Sequence, residues 1–184
     1  GAGFAWREGR TTSPLVDLSL LAPRAVWLGL VGACAGYLVL FGPLALFPQV
    51  LGDRGTAGLV LTCLPAGFAV AAVGAGRVLP QRTTLRGLAL AGTIAGVVGC
   101  AALAVVPRTP GVVGPLLALV GLGLGTFIPA NNSAIMGAVP TRASASGGGL
   151  VNMARGLGTA LGVALVALSL HVGGKTAGGG AAAA

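Results

Sequence analysis

Charge is what this chain has least of. Charged residues make up 8% of its 184 positions, where soluble domains carry about 25%. Three residues are acidic (Glu8, Asp17 and Asp53) and one is histidine, His171. That inventory cannot supply the His, Asp or Cys constellation an intramembrane enzyme needs. Cysteine is equally sparse: Cys34, Cys63 and Cys100 stand alone, without CxxC spacing or histidine neighbours. No metal site can be assembled from them, and they read as small apolar packing residues. Aromatic residues reach only 4%, which argues against a rich aromatic cage for cations. Nothing alternates apolar with polar over about ten residues, as a membrane β-barrel strand would.

Long apolar runs are present instead. Hydrophobic residues make up 55%, and they gather in five blocks at 25–47, 57–76, 87–106, 111–136 and 147–172. Each is near the ~20 residues that cross a bilayer as a helix. The sequence therefore predicts an all-α membrane protein with five transmembrane helices, inserted in a lipid bilayer.

The formal charge of +8 is distributed by topology and does not indicate a nucleic-acid partner. With the N-terminus cytoplasmic, Arg7, Arg10, Arg24, Arg77, Arg82, Arg86 and Arg142 fall on the inner side. Arg54, Arg108 and Lys175 fall on the outer one. That asymmetry follows the positive-inside rule. Residues 1–24 read as a cytoplasmic connector with a surface helix begun at Ser13 and Pro14, 25–172 as the five-span unit, and 173–184 as a flexible Gly/Ala-rich tail. The chain opens on Gly1 without a signal peptide, and it is expected to be a piece of a longer polypeptide.

Within the spans, glycine pairs recur four apart: Gly32 and Gly36, Gly92 and Gly96, Gly158 and Gly162. Small residues at that spacing let helix backbones approach closely. A break is expected near Pro43 and a kink at Pro65. The run Gly121-x-Gly123-x-Gly125 looks like the start of a dinucleotide fingerprint, but it lacks the preceding strand and lies inside a membrane-length run. Tight helix packing is the reading it supports.

The connector from Gly76 to Gly87, with Arg82 and Arg86 between, resembles the loop joining the second and third helices in each half of the major facilitator superfamily. Its usual acidic member is replaced by Pro80 and Gln81. Farther on come the glycine run, Pro129-x-Asn131, Val139-Pro140, 143–147, Asn152, Arg155, Gly158 and Gly162. In that order they resemble the drug:proton antiporter branch with fourteen spans. Glu8-x-Arg10 and Pro14-Leu15-x-Asp17-Leu18 are similar to the connector that precedes its C-terminal bundle. The resemblance covers essentially the whole chain and implies the ninth to thirteenth of fourteen spans, most of the C-terminal bundle of a major facilitator fold. It implies a non-enzymatic fragment of a proton-coupled efflux transporter in the bacterial inner membrane, with no cofactor. Its partners would be the missing N-terminal bundle, protons, and a small hydrophobic or cationic substrate. The competing reading is a non-transporting membrane scaffold or a transporter remnant.

Four polar residues inside the spans are candidates for the substrate pathway or a gate: Asn131, Asn132, Asn152 and Arg155. Asn131 and Asn132 are adjacent, about 100° apart on a helix, so only one can face a central cavity squarely, and hydrogen bonding between helices is the expected role. Asn152 and Arg155 are three apart and share a face. An ionisable group inside a span marks a functional site by default. Arg155 lies about 12 Å into its span at 1.5 Å per residue, short of a midplane expected near Gly158. Its long stem is expected to snorkel toward the cytoplasm and latch to Asn152 or to carbonyls closing the fourth span.

Overall fold

The computed structural model describes residues 18–50, 54–78, 84–107 and 109–181. Five helices make it up: α1 Arg24–Val50, α2 Arg54–Val78, α3 Leu85–Val105, α4 Pro110–Ala138 and α5 Ser144–Ala181. Short 3-10 turns at Leu18–Leu21 and Thr141–Ala143 lead into α1 and α5. Among the described residues there is no strand, and every one of the five helices is long and apolar enough to cross a membrane. The fold is the all-α membrane class that the apolar blocks require. The surface helix expected from Pro14 and the loop residues Pro80, Gln81 and Arg82 lie outside the described residues.

Helix ends follow local chemistry. Thr84 caps α3, its hydroxyl accepting from the Gly87 amide at 3.2 Å, which satisfies one of the orphan donors of the first turn. Pro110 opens α4 at a position where its missing N–H costs nothing. Pro107 follows the end of α3, since proline disfavours helix in the residue before it.

Two boundaries differ from expectation. Helix α1 does not break at Pro43; it runs on through Pro43 and Pro48 to Val50. Each proline removes one backbone bond, but lipid offers no water to an unwound segment, so helix is retained around the gap. The backbone of α5 likewise stays helical through Ala181, past the predicted end at Val172. Pro65 also lies within an unbroken helix.

Packing centres on α4. It lies against α1, α2 and α3, while α5 packs chiefly on α1. The alternating glycines of α4 produce this arrangement. Gly121 and Gly125 are four apart and share one face; Gly123 is rotated about 200° from Gly121 and faces the other way. A Cβ on Gly121 would strike the Leu64 carbonyl, and one on Gly125 the Phe68 carbonyl, both in α2. A Cβ on Gly123 would come within 2.6 Å of the Gly92 oxygen in α3. Thus α4 is sandwiched at backbone contact on both sides. Between lipid-embedded helices there is no water to expel, so such close van der Waals contact is the main attraction.

The same logic joins α5 to α1, where Gly158 faces Cys34 and Gly162 faces Leu38. Larger side chains fill the remaining gaps. Val60, Leu64, Leu117, Val120, Leu124 and Ile128 form the main core between α2 and α4. A second cluster of Val26, Ile135, Val139 and Leu150 ties the start of α1 to the α4–α5 junction. Elsewhere, Leu90, Ile94 and Val97 on α3 and Leu157, Leu161 and Leu165 on α5 are exposed. Apolar surface that extensive has to meet lipid or protein.

Candidate functional site

Helix pairing fixes the depth of each polar residue. The Gly158–Cys34 and Gly162–Leu38 contacts run in one direction with one constant offset, so α1 and α5 are parallel and Arg155 stands level with Val31. Both helices start at the end that carries Arg24, Arg86 and Arg142, the basic end of the bundle.

Arg155 is exposed, and its guanidinium carbon lies over the ring of Tyr37 at 5.4 Å from the centroid. Tyr37 is six residues beyond Val31, about 9 Å farther from the basic end. It sits at the middle of the α1 span Arg24–Gln49. The ring contact therefore draws the guanidinium toward the midplane. This corrects the expected latch: Arg155 makes no hydrogen bond to Asn152 or to the carbonyls closing α4 among the described residues. The physical reason is that α5 packs on the far side of α1 from α4. On α1, Gly29 and Gly36 face α4, whereas Cys34 and Leu38 face α5. The start of α5 meets the end of α4 where Gly147 lies against Val139, but at Arg155 the neighbour is α1, and the face of the Tyr37 ring is the attraction it offers a cation.

Asn152, Arg155 and Thr159 follow one another at three- and four-residue spacing and form a polar stripe along one face of α5. They line a groove of about 680 Å³ whose apolar side comes from Phe41, Ala160, Val163 and Ala164. The volume is within the ~300–1,000 Å³ typical of small-molecule sites. Asn152 is exposed, and its amide makes no recorded bond.

The two asparagines of α4 diverge. Asn131 donates from Nδ2 to the Gly29 carbonyl of α1 at 2.8 Å, a hydrogen bond between helices. Gly29 has to be glycine there, because a Cβ would strike Ile135. Asn132 is two turns past Gly125, on the face toward α2. Its Oδ1 is buried with no hydrogen-bond partner. Neither asparagine lines the Arg155 groove.

A second cleft, of about 620 Å³, opens between α1 and α3 over α4. Its lining includes Gly36, Gly92, Gly96, Val97, Cys100 and Phe127 and carries no charge. Thr93 is its one hydroxyl, and that is bonded to the Ala89 carbonyl at 2.7 Å. Of the loop-motif residues, Gly76 lies in the last turn of α2, while Arg86 and Gly87 lie in the first turn of α3, both exposed. The described residues hold no group of three His, Cys, Asp or Glu that could bind a metal.

Tyr37, Phe41 and Thr159 were not among the residues singled out from sequence. Tyr37 is the one tyrosine of the chain and sits in mid-span, away from the interfaces where tyrosine gathers. That position was a readable signal. Thr159 was also legible, one turn after Arg155. That Phe41 faces α5 follows only from the helix pairing.

A family model, Major Facilitator Superfamily, matches residues 3–163. No curated protein and no solved structure matches the chain.

Proposed function

The chain belongs to the Major Facilitator Superfamily, and on that footing we propose that it forms one wall of a proton-coupled efflux transporter for small hydrophobic molecules. In this reading its bundle and a second one rock about a central pathway in a bacterial inner membrane, with the basic end cytoplasmic. The observation that carries the reading is the polar stripe Asn152, Arg155 and Thr159, which runs from the basic end toward mid-span beside an open groove. Uncovered polar side chains at that depth are expensive in lipid and suit a water-filled or substrate-filled path. Sites in transporters built from repeats form near the midplane where two halves meet.

Proton coupling would have to be carried elsewhere in the full protein. Glu8, Asp17 and Asp53 all precede or separate the helices described here, so these five spans hold no carboxylate to cycle protons. The Gly76–Gly87 connector, with Arg82 and Arg86, would act as a hinge or gate at the basic end. Asn131 supports the helix framework in this scheme, and Asn132 serves neither role directly.

The test is dye transport by the full-length protein in proteoliposomes under an imposed pH gradient. Dye should move against the proton flow and stop when an ionophore collapses the gradient. Unchanged movement without the gradient removes the coupling, and no movement under any gradient removes the transport reading.

A further inference from the structure

We propose that the Arg155 groove binds an amphipathic organic anion, a carboxylate or similar planar oxyanion on an apolar body, in preference to a cation. The transport of such a molecule rests on the function proposed above; its binding does not.

Charge balance is the first argument. Arg155 brings a permanent positive charge and five N–H donors into the span. Among the described residues its recorded partner is the Tyr37 ring, which accepts none of those donors as a carboxylate would. No acidic residue of the chain lies within any of the five helices. Arg155 is exposed within this bundle, and an unpaired guanidinium that faces lipid or a water-poor path is strongly unfavourable, which a ring face offsets only in part. An oxyanion supplies what is missing, because a guanidinium fork matches a carboxylate through two parallel hydrogen bonds. A cationic guest would meet the same charge at close range with nothing to screen it.

Shape is the second argument. Asn152 lies one turn before Arg155 and Thr159 one turn after, so neutral hydrogen-bonding groups flank the charge on both sides. Beyond Thr159 the lining turns apolar through Val163 and Ala164 to Ala167, with Phe41 across from them. Ala167 is twelve residues from Arg155, about 18 Å along the helix. The groove is thus polar at one end and apolar along the remainder. It orients a guest with its anionic head at Arg155 and its body pointing away from the basic end.

Three probes with one body test this: 1-pyrenebutyrate, 1-pyrenebutanol and the corresponding trimethylammonium. Each is titrated fluorimetrically against the full-length protein in phosphatidylcholine nanodiscs, with empty discs subtracted. The butyrate should bind at least tenfold more tightly than the ammonium. Arg155→Gln should weaken the butyrate at least tenfold and leave the alcohol within twofold. Arg155→Lys, which keeps the charge without the fork, should fall between. Equal or tighter binding of the ammonium overturns the proposal. So does equal weakening of all three probes by Arg155→Gln, or no binding by the wild type, as expected if a carboxylate of another bundle already occupies the guanidinium. Transport of the same probes in proteoliposomes is read separately. Selective butyrate binding without movement under any pH gradient upholds the site and removes the transport reading.

Discussion

At the residue scale, the two adjacent asparagines of α4 show how little identity says without orientation. Asn131 reaches the Gly29 carbonyl, and Asn132 buries an unpaired oxygen. Hydrogen bonds between membrane helices average about 0.6 kcal/mol, with a ceiling near 2. Asn131→Leu is therefore expected to destabilise the bundle by roughly that amount, as read from reversible unfolding in bicelles. Asn132→Leu should be neutral or stabilising in the same assay, because a buried polar group without a partner carries its desolvation penalty uncompensated. Comparable losses at both positions would mean that Asn132 has a partner after all. Arg155 carries the same lesson. Its place inside a span was plain from the sequence, but the direction of its side chain was not. That direction depends on Tyr37, which is far away in sequence and on another helix.

At the scale of elements, glycine does the work that large side chains do in soluble cores, and the contacts distinguish glycines that sequence alone treats alike. A Cβ on Gly92 would collide with Thr126 and the Gly123 carbonyl, whereas one on Gly96 meets nothing within 4 Å. Likewise Gly158 abuts the Cys34 carbonyl, while Gly156 opens on space. Gly92→Ala and Gly158→Ala should each lower stability by about 1–3 kcal/mol, the range for overpacking a tight contact. Gly96→Ala and Gly156→Ala should leave it unchanged or raise it by up to about 1 kcal/mol, because alanine restricts the unfolded chain and meets nothing in the fold. Thermal unfolding of the four variants in detergent checks the contrast, and it fails if the two members of either pair behave alike. The small-xxx-small spacing announced that helices would meet at these positions. Which helix each would meet, and which of two glycines would sit in the contact, required the partner's backbone.

At the scale of the whole molecule, the bundle has a basic end and an opposite end, and its helices alternate between them. Reading the basic end as cytoplasmic yields a labelling prediction. In a background with Cys34, Cys63 and Cys100 replaced, cysteines placed at Arg86 and Arg142 should react with an impermeant maleimide only after the membrane is opened. A cysteine at Thr109 should react from outside intact cells. The reverse pattern would invert the topology and place the mouth of the proposed pathway on the wrong side.

Composition and the spacing of apolar blocks determined the membrane class, the five spans and their approximate limits. The reason is that a bilayer of fixed thickness accepts little except apolar helices of matching length. The family resemblance was legible because its motifs are local runs of glycine, proline and polar residues. Only the tertiary structure decided that α4 is the hub, that α5 packs on α1, and that Arg155 turns toward the midplane ring of Tyr37. Those outcomes depend on which helix faces meet and in what register. In lipid, close backbone contact sets that register, and a single sequence does not state which pairs of faces are in contact.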